Sequence, residues 1–291
     1  YVLAGNFPEL LVDDWEAIFH VLERYVGGNA AIYLLGAVWD EGLHRATHTA
    51  AVRKRFWVSQ HGKTYSRRFC DIHGGHEAYL QRLTAKHRKD LRRSLRRFEN
   101  HFRSRASFQL YSELGMVKEF IERVEPISAR TYQARLLGMH INQSGHIGSQ
   151  IIEGARRGLV RCYLLAVDDR PIAWRVGFVY QGTLFSHYVG YDPGFARWHP
   201  GIVTHLYSVR DLANSTNGVR TVDLLYGDND FKRKVATTSR REANFYLIPK
   251  TASGTTTHAI LVSCNKVSAM IGDLLELSGL KSEVKRSIRR R

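Results

Sequence analysis

Residues Tyr163–Pro193 read "YLLAVDDRPIAWRVGFVYQGTLFSHYVGYDP". With Val160–Cys162 in front, an apolar run ends at Asp168-Asp169-Arg170. A second run, "PIAWRVGFVY", ends at Gln181-Gly182, and "TLFSHYVGY" is the third. Short runs rich in β-branched and aromatic residues, separated by tight-turn signals, read as consecutive antiparallel strands. Next comes "GFARWHPG" (residues 194–201), and then a helical run, "IVTHLYSVRDLAN", which Gly218 stops. "VRTVDLLYG" is a buried strand, "DNDFKRKVA" a loop and helical turn, and "EANFYLIPK" a last strand. The expected fold is α/β: a mixed, mostly antiparallel sheet flanked by helices.

Pro200 suits the first turn of that helix, because the N–H it lacks would be unpaired there. Gly201 beside it bares the backbone. The N–H groups of Gly201, Ile202 and Val203 would then leave the helix start with a partial positive charge, a setting that binds phosphate. Arg197 and His199 lie just upstream and add cationic donors. Pro and Gly also serve an ordinary strand-to-helix turn, so this pattern alone leaves both readings open.

Toward the N-terminus, Trp15, Ile18, Phe19, Leu22 and Tyr25 share one face of a helix over residues 12–26, ended by Gly27-Gly28. "AAIYLLGAV" (30–38) and "AAVRKRFWVS" (50–59) read as strands. Residues 1–75 form a small α/β piece, residues 76–250 the main domain and residues 251–291 a basic helical tail, entered through the linker-like "TASGTTT". From Tyr79 onward Leu80, Leu83, Leu91, Leu95, Phe98 and Phe102 line one face of a basic helix, read as a bridge between two halves. Thr84 caps its main segment, which begins at Ala85. "SFQLYSEL" reads as a strand, "MVKEFIERVEPIS" as a helix ending near Pro126, and "SGHIGSQIIEGARRG" as a loop and short helix.

The net charge is +16, from 43 Lys and Arg against 27 Asp and Glu. It concentrates in "KHRKDLRRSLRRFENHFRSR" (86–105) and in "KSEVKRSIRRR" (281–291). Nucleic acid, an acidic lipid surface or a phosphorylated cofactor each answers to such charge, and so does a solvated basic face. Hydrophobic residues make up 44% of the chain, which argues against disorder. The 3 cysteines are far apart, which suits a reducing compartment rather than a disulfide frame or zinc knuckle. Residues 1–30 lack the basic start of a signal peptide and no apolar run is long enough to span a membrane, so the expected location is cytoplasmic. "HGGHE" (73–77) is a loop without metal-ligand spacing, and no metal is expected.

From about Glu77 to Lys250 the sequence resembles the CelD-like branch of the GNAT acyltransferase superfamily. "AKHRKDLRRSLRRFE" resembles that branch's basic helix, K-x-R-x-x-L-R-R-x-x-R-R. The three-strand stretch resembles its core, with P-I-A on the second strand. "WHPGIVTHLYSV" resembles its S-P-G helix start, with His199 in place of Ser, and "DLLYGDNDFKRKV" its G-D-x-x-Y-K segment, with Phe231 in place of Tyr. The usual glycine-rich loop is absent, and Gly201 alone stands in for it.

The resemblance implies acetyl-CoA or another acyl-CoA as donor, bound in a V-shaped gap between the splayed strands Thr183–Tyr191 and Thr221–Tyr226. The helix start at Gly201, Ile202 and Val203, with Arg197 and His199, would take the pyrophosphate. A backbone N–H on the first strand, at Val189, would polarise the thioester carbonyl. His187 or Asp228 would accept the proton of the attacking amine, and Tyr226 would protonate the departing thiolate. Lys232 would meet the donor phosphates or Asp228. Arg130, Tyr132 and Arg135 would shape the pocket of a small-molecule amine acceptor, such as an amino sugar. The related Fem-type transferases take an aminoacyl-tRNA donor on a tandem version of the fold, with residues 1–75 as a partial first half. In that reading, or in a non-catalytic module, tRNA or an anionic surface would meet Lys86–Arg97 and the C-terminal tail.

Overall fold

The computed structural model describes residues 2–5, 19, 31–39, 41–131, 134, 138, 140–214 and 218–277. The expected helix over 12–26, apart from Phe19, and the basic cluster 281–291 lie outside the described residues. The chain forms two compact units. Tyr1–Ser66 and Arg240–Arg291 make one, and Arg67–Ser239 the other.

In the first unit β1 (Val2–Gly5) runs parallel to β2 (Ile32–Val38). After α1 (Gly42–Ala46), the stretch "AAVRKR" forms a helix, α2 (Ala50–Arg55), where a strand was expected. The reason is local: Thr49 caps this turn, its side chain accepting from the Val52 N–H, and only at Phe56 does the chain extend into β3 (Phe56–Asp71). The last strand, Thr238–Pro249, pairs antiparallel with β2, with Ile32 opposite Leu247. That pairing is why its residues belong with the N-terminal piece rather than the main domain. Phe56, Phe245 and Leu247 fill this unit's core.

The second unit carries the sheet that matters for function. It contains α3 (His76–Arg82), α4 (Ala85–Phe102), β4 (Ala106–Tyr111), α5 (Leu114–Ser128), α6 (His146–Arg156), β5 (Val160–Val167), β6 (Arg170–Tyr180), β7 (Thr183–Tyr191), α7 (Pro200–Asn214), β8 (Thr221–Asp223) and α8 (Asp230–Val235). Returning to the first unit, the chain closes with β9 (Thr238–Pro249) and α9 (Ala252–Leu277). The expected linker "TASGTTT" is the first turns of α9, whose threonine hydroxyls bond back to carbonyls one turn earlier.

The second unit's sheet runs β3-β8-β7-β6-β5-β4. All of its pairings are antiparallel except β7 with β8. The two tight turns adopt the left-handed conformations a two-residue hairpin requires: Asp168 and Asp169 have φ of 48° and 60°, Gln181 and Gly182 of 42° and 73°. One sheet face is covered by α3, α4 and α7, with Leu91, Phe98, Leu184 and Leu206 in its core. The other is covered by α5 and α6 around Phe120, Ile151 and Trp174. Thr84 caps α4, accepting from the His87 N–H. Rather than bridging two halves, α4 lies wholly within this unit, packed on α7. The α5 helix runs two residues past Pro126, to Ser128, where it ends.

Candidate active site

The strands β7 and β8 pair in parallel through three residues, Thr183 with Thr221, Leu184 with Val222 and Phe185 with Asp223. Beyond Phe185 the register stops, while β7 continues to Tyr191. A bulge falls at that point: Ser186 and Tyr188 oppose the neighbouring Gly177 and Val176 of β6, so His187 is the extra residue. A bulge increases the local bend and twist of its strand, so β7 runs on without β8 beside it beyond this point.

Two cavities lie against this end of β7 and share Thr131, Trp174 and Val189. The larger, about 280 Å3, lies toward α7 and is lined by Arg175, Tyr191, Gly201, Thr204, His205 and Phe231, among others. The smaller, about 80 Å3, lies toward α5 and α6 and includes Ser128, Ile141 and His187. Trp174 lies directly over Gly190. A Cβ on Gly190 would stand 2.1 Å from the indole, so only glycine fits there. At Gly201 a Cβ would make only ordinary contact with Tyr191, at 3.8 Å, so its absence leaves open room beside the helix start.

Arg175 is the one charged side chain that lines the larger cavity among the described residues. It is 2% exposed, and all its partners are neutral. Nε donates to Ser186 Oγ (3.1 Å) and Nη1 to His205 Nδ1 (2.7 Å) and Ser208 Oγ (2.9 Å), while Nη2 has no partner. A guanidinium only donates, so His205 Nδ1 accepts and Nε2 carries the proton. Nε2 then donates to the Tyr79 hydroxyl (3.0 Å), which donates to the Val235 carbonyl (2.7 Å). Burial, and next the charge of Arg175, hold His205 well below the ordinary histidine range, so it is neutral. Burial likewise lowers Arg175, without discharging it.

The start of α7 is only partly open. His199 sits in the left-handed conformation, φ 51° and ψ 48°, and its carbonyl accepts from the N–H groups of both Ile202 (2.9 Å) and Val203 (3.2 Å). Those two N–H groups, expected to face a phosphate, are therefore committed to the helix, and the Val203 side chain is in the core. The His199 ring meets Ser94 of α4 at 3.0 Å. Its pKa is lowered, first by burial and then by the positive charges of Lys234, Arg97 and Arg93. Arg97 and Arg197 each lie 5.0 Å from the Trp198 ring, and His101 stacks on it at 4.0 Å. The helix start thus carries a cluster of cations, part of it supplied by the basic helix α4.

His187 meets Phe178 edge-on at 5.1 Å, and burial is the main cause that holds its pKa below the ordinary value. Asp228 lies at neither cavity. Arg68 (2.6 Å) and Arg233 (2.8 Å) take up its two carboxylate oxygens, and the bond from Arg68 is the main cause of its lowered pKa. Lys232 is turned inward to the carbonyls of Leu225 (3.3 Å) and Tyr226, where burial brings its pKa down to about 8. It secures the end of β8 and does not reach out to phosphate. Tyr226 lies over the Arg67 guanidinium, 5.4 Å away, and lines neither cavity. Arg130 is exposed beside Thr131, while Tyr132 and Arg135 are outside the described residues. Arg175 and His205 were not singled out from sequence.

Among the described residues no group of His, Cys, Asp and Glu side chains is placed to hold a metal, and no helix is long and apolar enough to cross a membrane. The sequence matches the family described as Acetyltransferase (GNAT) domain over residues 85–233. No curated protein matches it closely enough to count as a relative. Similar folds occur among solved structures. FemX is 12% identical, with a TM-score of 0.56 over 84% of this chain and 79% of that one. The C-terminal domain (DUF2156) of a provisionally assigned lysylphosphatidylglycerol synthetase from Agrobacterium fabrum is 13% identical, with a TM-score of 0.54 over 86% and 77%. A conserved protein of unknown function from Bacteroides thetaiotaomicron is 14% identical, with a TM-score of 0.54 over 80% and 76%. With the family match spanning more than half of the chain, through the basic helix, the splayed strands and the α7 start, this protein belongs to the GNAT acyltransferase superfamily.

Proposed function

We propose that the protein is an acyl-CoA-dependent N-acyltransferase that acylates the amine of a small molecule or amino sugar by direct attack. The observation that carries this reading is the end of the β7–β8 pairing at Phe185 and Asp223, with two cavities beyond it on β7 that share Val189. The donor enters on the α7 side, its phosphates at Gly201, His199 and the cluster Arg93, Arg97, Arg197 and Lys234. The acceptor enters the smaller cavity beside His187. The amine nitrogen attacks the thioester carbonyl carbon, a C–N bond forms, and the C–S bond breaks with its electron pair leaving on sulfur. The Val189 N–H polarises the carbonyl oxygen. Neutral His187 takes the amine proton, and the thiolate is reprotonated from solvent. Cytoplasmic action is part of the reading and agrees with the buried free thiols of Cys70 and Cys162.

A second reading, an aminoacyl-tRNA donor, is favoured by the cationic cluster at the α7 start and the net charge of +16. One experiment separates the two: calorimetric titration of the full chain with CoA, acetyl-CoA and mixed tRNA. Saturable binding of CoA and acetyl-CoA supports the first reading, and tRNA binding alone supports the second. Binding of neither donor would leave a module without a catalytic role.

A further inference from the structure

The reading above leaves the acyl group and the acceptor unspecified, and Arg175 narrows them. A guanidinium 2% exposed, with only neutral hydrogen-bond partners, is an uncompensated charge in an apolar setting. Such a charge is costly unless something pairs with it. Its Nη2 is buried and has no hydrogen-bond partner, and Arg175 is among the residues that line the larger cavity, which makes a ligand there the nearest candidate counter-charge once the side chain shifts to meet it. The other walls are mainly aromatic or aliphatic: Trp174, Val189, Tyr191 and Phe231. Thr204, which also lines the cavity, spends its hydroxyl proton on the Pro200 carbonyl. His205 presents no free ring nitrogen, since Nδ1 accepts from Arg175 and Nε2 donates to Tyr79.

We propose that the cavity binds a carboxylate, held by the Arg175 guanidinium after a small side-chain shift that brings Nη2 to the cavity. One buried cation matches one negative charge. A phosphate, with about two, is better served by the surface cluster of Arg93, Arg97, Arg197 and Lys234. A bound water would satisfy the N–H groups of Nη2 but would leave the charge unbalanced. The carboxylate has two chemical sources: the far end of a dicarboxylic acyl group on the donor, or the α-carboxylate of an amino-acid acceptor. Gly201 and Arg175 line the same cavity, so a donor anchored at the α7 start extends toward the guanidinium, and this favours the first. That preference rests on the proposed acyl-CoA reading; the carboxylate site itself does not.

The test has two arms, and a third comparison, alanine against ethylamine, for the case in which the second arm shows no preference. In the first, thermal unfolding of the full chain is followed with succinate and with its neutral diamide, in wild type and Arg175→Gln. Succinate is expected to raise the Tm of wild type, the diamide is not, and the difference should vanish in the variant, which keeps every surface cation. In the second, succinyl-CoA is compared with butyryl-CoA by calorimetry. Succinyl-CoA is expected to bind wild type at least about tenfold more tightly, falling to near parity in Arg175→Gln. Parity of the two thioesters in wild type, with an Arg175-dependent preference for alanine over ethylamine, would assign the carboxylate to the acceptor. Failure of any CoA to bind would remove the acyl-CoA reading, and the succinate arm would decide the site alone. If wild type shows no carboxylate preference in any arm, or the preference survives in Arg175→Gln, the proposal is overturned. Arg175→Lys retains a cation without the fork and serves if the Gln variant fails to fold; the wild-type comparison needs no variant.

Discussion

Asp223 is gripped by Arg67 at the position where β8 parts from β7. Arg67 Nε lies 3.0 Å and 2.9 Å from the two carboxylate oxygens, and both residues are buried, at 5% and 2% exposure. Asp223 Oδ1 also accepts from the Leu225 N–H at 2.8 Å, which turns the chain where Leu225 adopts a φ of 57°. The pair therefore fixes the end of the β7–β8 pairing. Asp223→Ala leaves the Arg67 guanidinium buried without its carboxylate, a change that typically costs about 3–5 kcal/mol. Urea unfolding should show a loss in that range with an unchanged m-value. A loss below about 1 kcal/mol would mean that solvent reaches Arg67 and that the pair does not set that end.

Much of this architecture is legible in the sequence because turns and periodicity are local. Asp168-Asp169 and Gln181-Gly182 announce the hairpins, and Pro200 announces the α7 start. "AAVRKR" is less legible, because the Thr49 cap that decides its turn lies one residue before the stretch. The site was less legible because its partners are distant in sequence. Asp228 sits in a promising loop, but Arg68, 160 residues away, engages it. Arg175 left a signal that could have been read: one cation inside the apolar run "AWRVGF" must have a reason to be buried. His205, on the buried side of α7, left a similar one.

The smaller cavity is lined by two titratable side chains, His187 and Tyr188; Tyr188 donates its hydroxyl proton to Gln150, and the proposed mechanism needs His187 neutral. Its folded pKa lies below the ordinary value of 6.5, chiefly through burial. The base form therefore persists at neutral pH, and kcat/KM should fall only as pH drops below about 6.5. His187→Ala should lower kcat by about 10²-fold or more and abolish that acidic limb, measured on whichever acyl donor binds. Asp228→Asn, whose parent carboxylate is held between Arg68 and Arg233, should keep kcat within a few-fold. The reverse pattern would make Asp228 the base and His187 a wall residue.

His205 makes the fold acid-sensitive. Native His205 stays neutral well below pH 6.5, whereas the unfolded chain's histidine protonates near it. Below that pH the unfolded state binds a proton that the native state does not, so stability falls as pH drops. The slope reaches at most about 1.4 kcal/mol per pH unit from this group. Urea unfolding at about pH 7.5 and about pH 5.5 should show wild type losing more stability than His205→Gln over the same interval. Equal losses would show that His205 binds a proton as readily in the native state as in the unfolded chain, and would overturn the assignment of Nδ1 as the acceptor of the Arg175 bond.

The cations at the α7 start should distinguish a compact donor from a polymeric one. Arg93, Arg97 and Lys234 are the charges that depress His199, and Arg197 lies just upstream, so a phosphate near Gly201 would feel all four. Gly201→Asp adds a negative charge where a Cβ alone would be tolerated, since its nearest neighbour would be 3.8 Å away. Affinity for CoA should drop more than about tenfold, beyond about 1.4 kcal/mol, with the fold intact by circular dichroism. Arg93→Glu with Arg97→Glu should weaken CoA binding too, but with a shallow dependence on salt, because few phosphates are involved. If tRNA is the ligand, the same pair of substitutions should flatten a steep slope of log K against log salt between about 50 mM and about 200 mM. A Gly201→Asp variant that binds CoA as wild type does would place the phosphates elsewhere and remove the α7 start from the site.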